Sequence, residues 1–413
     1  MLFPAMSSPG KTKTAVTLSG GGAYGAYEVG VLKSLVNGQS PATNKVPLEP
    51  AILTGASVGN FNAAVLTMAP HNAIEGVRRL ERIWLDDIAD RGGVRGNGIF
   101  RVRGNPEGYL EGSGLKKPLE PLLRAAGDAA YVGGRSVTQL TQFFTSGGSL
   151  GSRALGLIDV SALISVEPFD ELLKKTIDPE RIRNSSIVLC TVATDWLSGK
   201  PRVFHNHDFT DAEGRDAVKA SASIPGIFPV TKIGDRTYVD GGVVMNTPIS
   251  YALDAGATEL HVVYLNPEVG DIPLRKNEGT IDVFNRSIGM MLAAAINQDV
   301  AMAESINKGL EILDGAAAGS ETKPSEAANV LRVAAKISER IRQHRRYRRL
   351  TIHRHYPHRE IGSVLGMLNF SQAQIQEAIE LGYRETCEHD CAVNHCVIPK
   401  GSGPAAPEKG AQQ

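Results

Sequence analysis

Ala51-Ile52-Leu53-Thr54-Gly55-Ala56-Ser57-Val58-Gly59-Asn60 decides the reading of this chain. Ala51 to Thr54 is a short apolar run that suits a buried strand, and Asn60 to Met68 carries the small and apolar residues of a helix. Gly55 and Gly59 flank Ser57, as a sharp strand-to-helix turn requires, because a side chain at either flank would clash. Such a turn lifts the serine hydroxyl to the N-terminus of the following helix, where the dipole favours an alkoxide. The spacing predicts a nucleophile at Ser57. The same order recurs upstream: a strand over Ala15 to Leu18, the loop Ser19-Gly20-Gly21-Gly22, and a helix over Ala26 to Leu35 with Val29, Leu32 and Leu35 at helical spacing. Two strand–turn–helix units in succession predict an α/β fold with a parallel sheet.

The glycine loop has two sharp readings. As a dinucleotide fingerprint (Gly20, Gly22, Gly25) it needs an acidic residue about 20 positions on, after the next strand. Glu49 stands before that strand instead, between Pro47 and Pro50, and the fit is poor. As an oxyanion hole, consecutive glycines let backbone N–H groups converge on one point at a helix N-terminus, where a developing negative charge is stabilised without side chains. The bland alternative is a tight turn with no ligand.

A serine is a weak nucleophile without a base. The chain has ten histidines, mostly between His344 and His395, in segments that read as peripheral. Asp240 is the better base: it ends the strand Thr237 to Val239, and Gly241 and Gly242 let backbone or substrate approach closely. Alone, Asp-Gly-Gly is also an ordinary β-turn. A Ser–His–Asp esterase using His261 or His353, and a catalytically silent lipid-binding protein, are the competing readings.

Jointly, and in this order, Gly20-Gly21-Gly22-x-x-Gly25, Gly55-x-Ser57-x-Gly59 and Asp240-Gly241-Gly242 resemble the patatin-like phospholipase family. A fourth piece, Ala220-Ser221-Ala222-Ser223-Ile224-Pro225, also resembles it, and the likeness covers roughly Thr14 to Pro267. The resemblance implies a three-layer α/β/α sandwich with a mostly parallel central sheet. It implies a Ser57–Asp240 dyad without histidine and an oxyanion hole at Gly20, Gly21, Gly22 and Gly25, with Gly55, Gly59, Gly241 and Gly242 in support. It further implies acyl release from glycerolipid or phospholipid esters through an acyl-enzyme, with no metal and no cofactor. One departure stands out: where the family usually carries Arg or Lys in the loop, this chain has Tyr24. That puts phospholipid headgroup preference in doubt more than ester cleavage.

The rest of the 413 residues bounds this picture. Residues 1–13 lack an apolar h-region and read as a disordered leader. Residues 14–267 read as the catalytic domain, with a Gly- and Arg-rich insertion or lid at about 85–156. Residues 268–399 read as a mainly helical C-terminal extension packed on that domain, with a late strand over Leu350 to Tyr356 and a helix over Phe370 to Glu385; residues 400–413 read as a disordered tail. The formal net charge is zero, so no nucleic-acid partner is expected from charge, and oligomeric state is left open. No apolar run reaches the ~20 residues that span a bilayer. The expected location is cytoplasmic and peripheral at a membrane.

The basic run Arg340, Arg342, Arg345, Arg346, Arg348 and Arg349 follows an apolar seam at helical spacing. It reads either as a membrane-surface helix or as a helix packed on the core with a solvated basic end. Cys190 reads as a buried core thiol. Cys387, Cys391 and Cys396, with His389 and His395, offer zinc-type ligands, but their spacings differ from the common finger patterns and no second pair is evident. They read as incidental to a terminal helix, with no metal.

Overall fold

A computed structural model describes residues 13–90, 97–102, 164–268, 300–312, 348–362 and 364–399, together with Met290 and Lys336. The expected leader and tail, most of the insertion, and Arg340, Arg342, Arg345 and Arg346 lie outside the described residues.

An eight-stranded sheet organises the chain. Its strands are β1 (Thr14–Leu18), β2 (Ile52–Ala56), β3 (Val188–Asp195), β4 (Pro201–His205), β5 (Thr231–Ile233), β6 (Arg236–Asp240), β7 (Glu259–Val263) and β8 (Thr351–His355). The order is β8-β7-β1-β2-β3-β6-β5, with β4 also on β3. The five strands from β8 to β3 pair in parallel, and β4, β5 and β6 pair antiparallel. The parallel strands are apolar on both faces because helices cover both. Val16, Leu18, Leu53 and Val263 point into one core, and Ala15, Ile52, Leu260, Val262 and Ile352 into the other.

The larger core lies under α1 (Gly25–Val36), α2 (Val58–Thr67), α3 (Ala73–Arg82), α4 (Glu167–Thr176), α5 (Gly214–Ser221) and α7 (Gln372–Cys387). The smaller lies under α6 (Ile249–Asp254) and the helix at 300–312, which supplies Val300 and Ala303. The result is the expected three-layer α/β/α sandwich. Helix α1 is buried almost all round, as a helix between a sheet and a further helix must be. Its outer neighbour is α7, so part of the C-terminal extension completes the helical layer over the sheet.

The residues at the start of the expected insertion pack with the core. Helix α3 runs on into a helical turn over Ile83–Ile88, with Trp84, Ile88 and Ala89 buried in the larger core. Trp84 Nε1 donates to Asn62 Oδ1 at 2.9 Å, so this indole is both packed and satisfied. Cys190 is buried on β3 as expected, and burial pushes its thiol up to about 12. No helix among the described residues is long and apolar enough to cross a membrane.

Candidate active site

The edge of β3 brings the two candidate residues together. Ala56, the last residue of β2, faces Val192. Asp240, the last residue of β6, faces Ala193. Since β4 occupies the other edge of β3 at both positions, β2 and β6 share one edge. They run toward each other and stop tip to tip, with Ser57 just past one tip and Asp240 at the other. Gly241 fits in the join, where a Cβ would run into Val192 O.

Ser57 occupies the sharp turn that its flanking glycines predict. Its φ of 52° and ψ of −127° are unusual for a side chain-bearing residue, as at a nucleophile elbow. A Cβ at Gly55 would stand 2.5 Å from Asn60 N, and one at Gly59 would stand 2.5 Å from Leu18 O. Ser57 N–H donates to Ser221 Oγ at 3.0 Å, and Ser221 donates to Val192 O at 2.6 Å. The serine of the Ala220 to Pro225 motif thus holds the elbow against β3.

Asp240 is buried, at 5% exposure. Its Oδ1 accepts the Gly242 N–H at 2.7 Å. Burial pushes its pKa up to about 7; the hydrogen-bonding Ser57 hydroxyl and Gly242 N–H only partly oppose that rise. Oδ2 has no well-aligned donor among the described residues, so the contact with Ser57 is loose in the resting site. Such contacts commonly tighten when substrate binds.

The glycine loop passes beside Ser57: a Cβ at Gly20 would stand 2.9 Å from Ser57 Cβ. Gly20 N–H donates to Asn246 O at 3.2 Å, and Gly25 N–H donates to the Ala23 and Gly22 carbonyls. These two glycines therefore shape the loop. The N–H groups of Gly21 and Gly22 have no acceptor among the described residues, which leaves them as the loop's candidate oxyanion donors. Gly22 has a φ of +57°, and its Cα packs against the carbonyl of Met367.

Asn246 was not singled out from sequence. It clamps Gly20 through its backbone oxygen and through Nδ2, which donates to Gly20 O at 3.3 Å. A Cβ on Gly242 would meet its Oδ1 at 2.7 Å, so this one side chain links the glycine loop to the aspartate turn. Tyr24 is buried at 3% exposure and packs on Gly362 and Gly366. Burial, and after it the charge of Glu360, pushes its phenol up to about 12. Position 24 thus brings packing, not positive charge, to the loop.

His261 and His353, the alternative bases, stand on β7 and β8. His261 Nδ1 faces His355 Nε2 at 3.2 Å, and His353 Nδ1 faces Cys391 Sγ at 3.5 Å. Burial, the Ser57 hydroxyl and the Gly242 N–H set the Asp240 pKa, and neither histidine is among them. Arg348 and Arg349 precede β8, at the end of the sheet opposite Ser57.

The chain is 24% identical over 254 residues to Triacylglycerol lipase 4 of Saccharomyces cerevisiae, a match over 58% of this chain. It spans only 22% of the length of that curated relative. Among solved structures it is similar to VipD from Legionella pneumophila, at a TM-score of 0.35 and 16% identity over 92% of this chain and 66% of that one. Residues 16–253, which hold the glycine loop, the elbow and the aspartate turn, match the family model for patatin-like phospholipase, and the chain belongs to that family.

Proposed function

We propose that this protein hydrolyses glycerolipid acyl esters, with Ser57 as nucleophile and Asp240 as its general base. The observation that carries this reading is the buried Asp240 carboxyl, raised to about 7, beside a serine on a strained elbow. A base is most effective when its pKa lies near the working pH. Membership of a lipid acyl hydrolase family supports the reaction class.

Ser57 Oγ attacks the ester carbonyl carbon as Asp240 takes its proton. The carbonyl oxygen becomes an oxyanion held by the N–H groups of Gly21 and Gly22, with the α2 N-terminus adding positive partial charge. The ester C–O bond breaks and the leaving alkoxide takes the proton from Asp240. Water then attacks the acyl-enzyme, gives its proton to Asp240, and the fatty acid leaves as that proton returns to Ser57 Oγ.

Docking on lipid is part of the proposal. The β3–β4 turn, at the same end of the sheet as Ser57, exposes Trp196 (61%) and Leu197 (97%). Val243 and Val244, just past Asp240, are exposed as well. This end of the sheet suits a lipid surface better than the end bearing Arg348 and Arg349, which would hold Ser57 away from the ester.

The test is fatty-acid release from phospholipid vesicles, lysophospholipid micelles and triacylglycerol emulsions by wild type, Ser57→Ala and Asp240→Asn. Release by wild type alone is expected, and the best substrate names the lipid class. Release that persists in Ser57→Ala, or none from any lipid by wild type, would overturn the reading.

A further inference from the structure

We propose that His353, His389, Cys391 and Cys396 form a structural zinc site that fastens the C-terminal segment to the edge of the sheet. The four side chains come from two places: His353 from β8, and the others from the loop after α7. Their donor atoms all lie within 4.8 Å of one another.

The spacing fits a tetrahedral ion. Zinc bonds of about 2.3 Å to sulfur and about 2.05 Å to nitrogen put S and N about 3.5 Å apart across a tetrahedral angle. Cys391 Sγ lies 3.5 Å from His353 Nδ1 and 3.6 Å from His389 Nε2, and Cys396 Sγ lies 3.4 Å from that same Nε2. Hydrogen bonding alone explains this less well. Cys391 Sγ faces two ring nitrogens with one proton to give, and His389 Nε2 faces two sulfurs. Atoms that converge on a common centre instead of pairing off are arranged for a cation.

The surroundings suit a bound metal too. His353 and His389 are buried, and Cys391 and Cys396 half-buried. The Arg354 backbone N–H donates to Cys396 Sγ at 3.3 Å, which favours a thiolate. On the other side of His353, Nε2 lies 4.0 Å from Glu259 Oε1, beyond hydrogen-bond length but near enough for the carboxylate charge to favour a polarised imidazole. Four protein donors of the Cys2His2 kind leave no open position, so the role is structural. Glu259, His261 and His353 form a second possible group, but they share His353 and supply no thiolate, and a soft pair of sulfurs selects zinc more strongly. Cys387 stands apart, with Sγ 3.3 Å from Ser34 Oγ on α1.

The site lies where a fastening has most effect. Val397, one residue past the last ligand, exchanges both backbone hydrogen bonds with Ile352 of β8, at 2.8 and 2.9 Å. The ion would lock that short bridge, and with it the end of α7, to the sheet.

The test uses the full-length protein. Purified wild type should hold one zinc per chain by elemental analysis, and cobalt(II) added to the metal-free protein should give the visible bands of tetrahedral thiolate coordination. Cys391→Ser and Cys396→Ser should each lower zinc content at least tenfold, while His261→Ala retains it. The cobalt spectrum of wild type decides the matter even if the cysteine variants fold poorly. Wild type that takes up neither ion, a Cys391–Cys396 disulfide seen by mass spectrometry, or zinc retained by both cysteine variants would each overturn the proposal.

Discussion

Ser57 N–H donates to Ser221 Oγ at 3.0 Å, and the same hydroxyl donates to Val192 O at 2.6 Å. The strained residue of the elbow is thereby tied to the strand whose next residue faces Asp240. Ser221→Ala leaves a buried N–H and a buried C=O without that partner, a loss of about 1–3 kcal/mol. Thermal denaturation should show a lower Tm. Steady-state kinetics should show kcat reduced at least tenfold, equivalent to about 1.4 kcal/mol, with KM little changed. An unchanged kcat would mean that the elbow holds its geometry without this contact.

As the proposed base, the buried Asp240 should couple activity to pH in one direction and stability in the other. With a pKa of about 7, kcat/KM should rise roughly tenfold per pH unit below neutrality and level off above it. The folded pKa lies above the unfolded value, so this group's contribution to stability is full below about pH 4 and is lost as pH rises through about 7. Asp240→Asn cannot ionise. It should abolish activity yet melt higher than wild type at pH 8, an advantage that disappears at pH 4. A profile that instead follows a histidine, and vanishes when His261 or His353 is replaced, would favour the Ser–His–Asp alternative.

Helices α1 and α7 meet backbone to backbone. A Cβ on Gly30 would run into the carbonyl of Ile379, and one on Gly382 into the carbonyl of Tyr27. Gly30→Ala should force the helices apart and cost about 1–3 kcal/mol, the usual toll of overpacking. Gly309, in the helix at 300–312, has open space among the described residues where a Cβ would go. Gly309→Ala should stabilise by up to about 1 kcal/mol through helix propensity alone. Denaturant midpoints of the two variants should move in opposite directions.

Trp196 and Leu197 test the docking surface apart from the chemistry. The double replacement Trp196→Asp with Leu197→Asp should lower fatty-acid release from vesicles at least tenfold and leave hydrolysis of a soluble short-chain ester within about twofold, since roughly 1.4 kcal/mol of lost docking is tenfold in rate. Equal losses on both substrates would place these side chains in the folded core's support and not at a lipid surface.

How much was legible in the sequence depended on whether the signal was local. The elbow at Ser57 and the strand ending at Asp240 each carry a local cue: a short apolar run followed by Gly-x-Ser-x-Gly in the one case and by Asp-Gly-Gly in the other. Strand β4 does not, because Pro201, Arg202 and His205 interrupt the alternation and resemble a loop. Trp84 to Ala89 sits beside a Gly- and Arg-rich stretch whose composition masks a buried turn. The part of Asn246 is invisible before folding, since it joins two motifs far apart in the chain. The same holds for His353, which stands 38 residues before Cys391 and completes a donor set that the C-terminal spacing alone does not suggest.

The two strand tips that meet on β3 make the site an interruption in a hydrogen-bond ladder. The distance between hydroxyl and carboxyl is therefore set by how many rungs β3 offers between its two partners, and only secondarily by rotamers. Lengthening β2 or β6 by one residue at the join would close the interruption; shortening either would open it by about 3.3 Å, one strand step. Loops around the site can change in length and composition with little effect on this spacing, whereas the join itself tolerates neither insertion nor deletion. Diversification of what the molecule accepts is thus free to proceed at the rim while Ser57 and Asp240 stay in register.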